Sequence, residues 1–236
     1  MKILVISPVV SQELLKGDRE YFQGLADPET EAEVASVKKG PASIETFHDA
    51  VYASPEILRL VRERHGEVDA IMINCFADPA VDAAREITDR VVLGPAETSM
   101  SVALHLGAMF SVISILPNTT AWVSWQAKKL GIESRLASAI GVDIPVLDID
   151  KTAEVTVNEV VKAAELAIKR DGAEVIVLGC TGMVSVAQAV RERLSVPLVE
   201  PAATTFKMAE LLVKLGLRHH RGGLYLSASY DKIQGY

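Results

Sequence analysis

Val175-Ile176-Val177-Leu178-Gly179-Cys180-Thr181-Gly182-Met183 is an apolar run of strand length that ends on a cysteine. Small residues follow it, and then a helical pattern. Ala70-Ile71-Met72-Ile73-Asn74-Cys75-Phe76-Ala77-Asp78-Pro79 has the same form. The chain contains 2 cysteines, and these stretches hold both of them. An open α/β sheet builds its binding sites just past the carboxyl ends of its strands, and that is where both thiols fall. The reading that follows is a pair of acid/base thiols, Cys75 and Cys180, facing one substrate.

Working outward, the chain divides into two similar halves. Lys2 to Ile6 is a buried-type strand with the loop Ser7-Pro8-Val9-Val10-Ser11 behind it; Phe110 to Leu116 is its counterpart, with Pro117-Asn118-Thr119-Thr120. Gly94-Pro95-Ala96-Glu97-Thr98-Ser99 lies over Glu200-Pro201-Ala202-Ala203-Thr204-Thr205. Cys75 and Cys180 are 105 positions apart, Pro95 and Pro201 are 106, and Pro8 and Pro117 are 109. A repeat of this length is a duplicated domain rather than a solenoid unit. The expected fold is α/β: two pseudo-symmetric, duplicated lobes, each a central parallel sheet flanked by helices, with the site in the cleft between them. The lobes are expected at residues 1–107 and 108–215, with approximate boundaries and room for the chain to cross over. A C-terminal tail, 216–236, is expected to pack back on them.

Local signals place helices on either side of the strands. Asp18 to Gly24 reads as a short helix. Ser54-Pro55 reads as a cap with proline at the first helical position, opening a helix over Glu56 to His65. Asp78-Pro79 repeats that signal before Ala80 to Thr88, which gives Asp78 a capping role. Glu97 reads equally as an acid near the substrate and as a structural acid at its helix start.

Composition limits the function. The chain has 236 residues, 49% hydrophobic and 23% charged, as in an ordinary globular protein with ample core. Its net charge of -7 argues against nucleic acid and against an anionic membrane surface. No apolar run is long enough to span a bilayer. The N-terminus begins directly as a strand, so a cytoplasmic location is expected, and there a disulfide is disfavoured. Exposed helices of a two-lobe domain suit a homo-oligomer.

Metal is not expected, because there is no C-x-x-C and the 5 histidines are scattered. A Cys–His nucleophile finds little support, since no histidine adjoins a strand end. Two thiols, in contrast, have a direct use: inverting a stereocentre by proton transfer needs a base on one face and an acid on the other. Both cysteines precede predicted helices, whose N-termini are expected to favour the thiolate.

With these motifs in view, the chain resembles the Asp/Glu/hydantoin racemase superfamily, and most closely its hydantoin and allantoin racemase branch. Carrying the resemblance are Cys75-Phe76-Ala77-Asp78-Pro79 running into Ala83-Ala84-Arg85-Glu86, then Gly94-Pro95-Ala96-Glu97 and Gly179-Cys180-Thr181-Gly182-Met183. Gly40-Pro41-Ala42-Ser43-Ile44-Glu45 and the last helix, Ala209 to Gly216, also match. The resemblance implies two pseudo-symmetric lobes, no cofactor, and racemisation at a carbon flanked by a carbonyl and a nitrogen. The first loop departs from the branch, with Ser7-Pro8-Val9-Val10 where an Asn-Pro-Asn-Thr type is usual. Thr181 follows its cysteine as in the amino-acid racemases.

Expected substrate contacts are Ser7, Pro8, Phe76, Ala77, Asn118, Thr119, Thr120, Thr181 and Gly182. The strand-end loops carry neutral hydrogen-bonding groups and no Lys or Arg, which favours a small neutral cyclic ureide such as a 5-substituted hydantoin or allantoin over a dicarboxylate. The alternatives are an aspartate/glutamate-type amino-acid racemase and a non-catalytic small-molecule-binding protein with the same cleft.

Overall fold

The computed structural model describes residues 1–227, except for the side chains of Gln12, Glu13 and Leu14. In chain order the first half runs β1 (Lys2–Ser7), α1 (Gln12–Leu25), β2 (Glu31–Ser36), α2 (Phe47–Arg64), β3 (Ala70–Ile73), α3 (Val81–Ile87), β4 (Val91–Leu93) and α4 (Pro95–Ala103). The second runs β5 (Phe110–Ser114), α5 (Thr119–Lys129), β6 (Leu136–Gly141), α6 (Ala153–Asp171), β7 (Val175–Leu178), α7 (Val184–Arg191), β8 (Leu198–Val199) and α8 (Pro201–Lys214).

The strands form two four-stranded sheets with matching orders, β2-β1-β3-β4 and β6-β5-β7-β8. Every pairing is parallel. Parallel neighbours need crossover connections, and the helices of those crossovers cover both faces of each sheet. The central strands are accordingly apolar on both faces. Leu4, Ile6, Ile71 and Ile73 pack toward Ile57, Leu60 and Val61 of α2. Ile3, Val5 and Met72, pointing the other way, pack with Phe22 and Phe206.

Phe206 belongs to α8, from the far end of the chain, and α8 packs on β3 and β4 of the first sheet. Its counterpart α4 packs the other way, placing Ala96, Met100 and Ala103 against Phe110, Val112, Val175 and Val177 of the second sheet. Each half thus sends its last helix to the other half's sheet.

Local chemistry explains the element ends and one departure from expectation. Pro55 lies inside α2 rather than at its start, so the helix expected from residue 56 is continuous with the helical pattern of Phe47, Val51 and Tyr52 before it, and α2 begins at Phe47. Thr46 and Asp49 form a capping box there, with the Asp49 N–H donating to Thr46 Oγ1 and the Thr46 N–H to Asp49 Oδ2. Proline has no N–H for the carbonyl of Val51 one turn back, but Val51 is exposed and water can serve it. The helix expected at Asp18 is likewise longer, Gln12–Leu25.

The described part of the tail lies against the β4 edge. The Val92 N–H donates to His219 Nε2 at 2.8 Å, Arg218 pairs with Asp89, and the Tyr225 hydroxyl donates to Asp82. Such contacts close an edge that would otherwise present unpaired backbone. The remainder of the tail, 228–236, lies outside the described residues. Among the described residues no helix is long and apolar enough to cross a membrane.

Candidate active site

In each sheet the strand order reverses beside its first strand, between β1 and β3 and between β5 and β7. The carboxyl ends of strands at such a reversal leave a crevice. Residues at or just past these four ends, Ser7, Asn74, Ser114 and Gly179, all line one cavity of about 270 Å³. Cys75 and Cys180 open onto that cavity from opposite sheets. Its size suits a small molecule.

Gly179 permits the approach of β7 to β5. A Cβ there would meet Ser114 Cα at 2.9 Å and the Ile113 carbonyl oxygen at 3.0 Å. The next residue, Cys180, is buried, and its sulfur accepts the Gly182 N–H at 3.3 Å. Cys75 is half-buried, and its sulfur receives the Ala77 N–H. Both thiols are free. The two loops are joined across the cleft, where the Thr181 hydroxyl donates to the Asn74 carbonyl at 3.3 Å.

The electrostatics differ from the helix-terminus expectation. α3 starts only at Val81, and a single 3-10 turn, Thr181–Met183, separates Cys180 from α7. Burial therefore dominates both groups. It pushes the Cys75 thiol up to about 12 and the Cys180 thiol up to about 11, against the smaller opposing effect of the N–H groups in their own turns. In the free site both cysteines hold their protons at neutral pH.

Asp78 does cap a helix, though not the one that follows it. Asp78 and Ala80 adopt left-handed backbone, with φ of 50° and 59°, which turns the loop after Cys75 sharply. The Asp78 carboxylate thereby reaches α4 and accepts the Ala96 and Glu97 N–H groups at 3.0 and 2.9 Å. A Cβ on Gly94 would lie 2.4 Å from that carboxyl group, so only glycine fits beside it. Glu97 is a structural acid, paired with the buried Arg85, whose Nη1 donates at 3.1 Å. Burial, with the Glu97 charge next, holds Asp78 well above the usual carboxylate range.

Of the expected substrate contacts, Ser7, Pro8, Phe76, Ala77, Thr119, Thr181 and Gly182 line the cavity. Asn118 and Thr120 are not among its lining residues. Asn118 donates its amide to the Glu45 carbonyl at 2.8 Å, and the Thr120 hydroxyl donates to Pro117 at 2.7 Å. The cavity also has walls that the strand-end motifs did not indicate. Trp122 and Gln126 come from α5, Ile44 from the loop before α2, and Leu147, Asp150 and Lys151 from the segment before α6. Lys151 brings a cation to the cavity, held at 3.0 Å to Asp148. Asp18, on α1, was also missed; the side chains of Ser7 and Asn74 donate to its carboxylate. Its only sequence signal was an acid on a helix that follows the first strand. Among the described residues no three His, Cys, Asp or Glu side chains are grouped to hold a metal.

Residues 3–209 match the Asp/Glu/Hydantoin racemase family profile, which spans both cysteine loops. The chain belongs to that family. It is 34% identical over 217 residues to a hydantoin racemase from Pseudomonas sp. (strain NS671), covering 92% of this chain and 87% of the relative. It is also 34% identical over 227 residues to a hydantoin racemase from Paenarthrobacter aurescens, covering 95% and 96% of the two chains. Among solved structures, an allantoin racemase from Klebsiella pneumoniae superimposes with a TM-score of 0.93 at 31% identity, covering 100% of this chain and 96% of that one. With these relatives, the activity of the chain is that of a racemase, an isomerase.

Proposed function

We propose that the chain racemises a 5-substituted hydantoin or a related cyclic ureide such as allantoin, with Cys75 and Cys180 carrying the proton on opposite faces of the stereocentre. The observation that supports this most is the pair of thiols at equivalent strand ends, opening onto one small cavity.

The reaction needs one sulfur as thiolate and the other as thiol. The thiolate takes the hydrogen at C5, and the bonding electrons pass into the adjacent carbonyl as an enolate. The opposite thiol then gives its proton to C5 from the other face, becoming the thiolate for the return direction. The free site holds one proton too many, so substrate enters productively when one thiol has been deprotonated. The N–H groups of Ala77 and Gly182 then stabilise the charged sulfur. No resident cofactor has a part in this scheme. The ring of a hydantoin makes its C5 hydrogen more acidic than that of a free amino acid, which suits such a site. The hydroxyl oxygens of Ser7 and Thr181, whose protons go to Asp18 and to the Asn74 carbonyl, are left to accept from the ring's N–H groups. Membership of a branch that includes hydantoin and allantoin racemases supports the same reading.

Lys151 favours a second reading, racemisation of aspartate or glutamate, because it offers a carboxylate a cation at the cavity. It is already paired with Asp148, which weakens that reading. Proton NMR in D2O with enantiopure hydantoins, allantoin, aspartate and glutamate separates the two. Loss of the α-hydrogen signal together with optical rotation is expected for a hydantoin or for allantoin. Exchange confined to the amino acids would replace the proposal with the second reading.

A further inference from the structure

Building on the hydantoin reading, we propose that Asp18 and Asn74 form the subsite that reads the substituent at the stereocentre, selecting hydantoins whose side group carries hydrogen-bond donors or a positive charge. Three observations lead there. Asp18 reaches the cavity wall from α1, and its carboxylate is fixed by donors from Ser7 and Asn74. Asn74, 8% exposed, uses its amide N–H in that contact, and its Oδ1 is buried with no partner among the described residues. No cation pairs with Asp18 among the described residues.

Among the described residues, Asp18 therefore brings a carboxylate to the cavity that is met by two neutral donors and by no cation, and Asn74, which lines the same cavity, keeps one acceptor without a protein donor. Buried carboxylates are normally paired or fully hydrogen-bonded, so a ligand group bearing N–H donors or a positive charge is the complement this wall of the cavity accepts. The chemistry also says which part of the ligand supplies them. Negative charge develops on the ring carbonyl as the C5 proton leaves, and a carboxylate against the ring would oppose it. Asp18 is thus suited to the substituent, and an ammonium, guanidinium or ureido group supplies both the charge or polarity and the N–H donors.

The test compares initial rates of racemisation for 5-(3-guanidinopropyl)hydantoin, 5-(3-ureidopropyl)hydantoin and the apolar 5-pentylhydantoin. The unsubstituted protein is expected to favour the two donor-bearing substrates in kcat/KM by about tenfold or more. Asp18→Asn keeps the size of the side chain and removes its charge. It is expected to lower kcat/KM for the guanidino substrate by about tenfold while leaving the pentyl substrate within about threefold. Equal rates on all three with the unsubstituted protein, or an equal fall on all three in Asp18→Asn, would overturn the inference, because a merely structural role does not distinguish substituents. Failure to racemise any hydantoin would instead overturn the reading on which it rests.

Discussion

The Thr181 hydroxyl donates to the carbonyl of Asn74 at 3.3 Å, so the residue after one cysteine holds the residue before the other. This contact spans the cleft between sheets that share no strand. It gives the two sulfurs a common frame even though they are 105 residues apart in the chain. Thr181→Val removes the donor and keeps the shape. The expected cost in stability is about 1 kcal/mol by urea unfolding. A larger effect is expected on kcat than on KM, since proton transfer in the proposed mechanism depends on where the sulfurs stand.

Burial of both thiols sets their reactivity. Free cysteine is alkylated by iodoacetamide with a rate that levels off above about 8.5. Here, with Cys180 at about 11 and Cys75 at about 12, inactivation is expected to be slow at pH 7 and to keep rising beyond pH 9.5. A plateau at pH 8 would show that the sulfurs are better stabilised as thiolates than their surroundings suggest.

Asp18 carries a stability cost together with its proposed role. Burial raises it from 3.8 to about 6. A carboxyl group whose folded value is raised favours the fold at low pH, and that contribution is lost as pH rises through about 6. Asp18→Asn abolishes the titration. Its melting temperature is expected to exceed that of the unsubstituted protein by about 2–4 °C at pH 8, and by much less at pH 4. A site that trades stability for recognition behaves this way.

Arg85 holds the interior together on the first sheet's side of the cleft. It pairs with Glu97 and donates to the Val92 carbonyl at 2.9 Å, with only 8% of its side chain exposed. Arg85→Met strands Glu97 beside the buried Asp78. The unfolding free energy from urea titration is expected to fall by about 3–5 kcal/mol.

How much of this was legible in the sequence follows from what each signal measures. The strands could be read because both faces of a parallel sheet are covered, leaving runs such as Val175–Leu178 apolar at every position. The cysteines could be read because duplication printed the same strand end twice. The exchange of α4 and α8 left no trace, since an apolar helix face does not name the sheet that covers it. Pro55 was misleading: proline after serine is a helix-start signal, but an exposed helix tolerates it inside. Asn118 shared its strand-end position with true cavity residues, yet its amide turns to the Glu45 carbonyl. Asp18 lay two turns into a helix, where only the folded chain brings it to Ser7 and Asn74.

The two-thiol mechanism is tested most directly by racemising one enantiomer of a hydantoin substrate in D2O, then analysing substrate and product at low conversion by mass spectrometry and chiral separation. With Cys75 and Cys180 on opposite faces, the product enantiomer is expected to carry solvent deuterium while the remaining substrate keeps its protium, and Cys75→Ala and Cys180→Ala each abolish racemisation. Racemisation that persists in either single variant, or product that retains the substrate's own hydrogen, would contradict it.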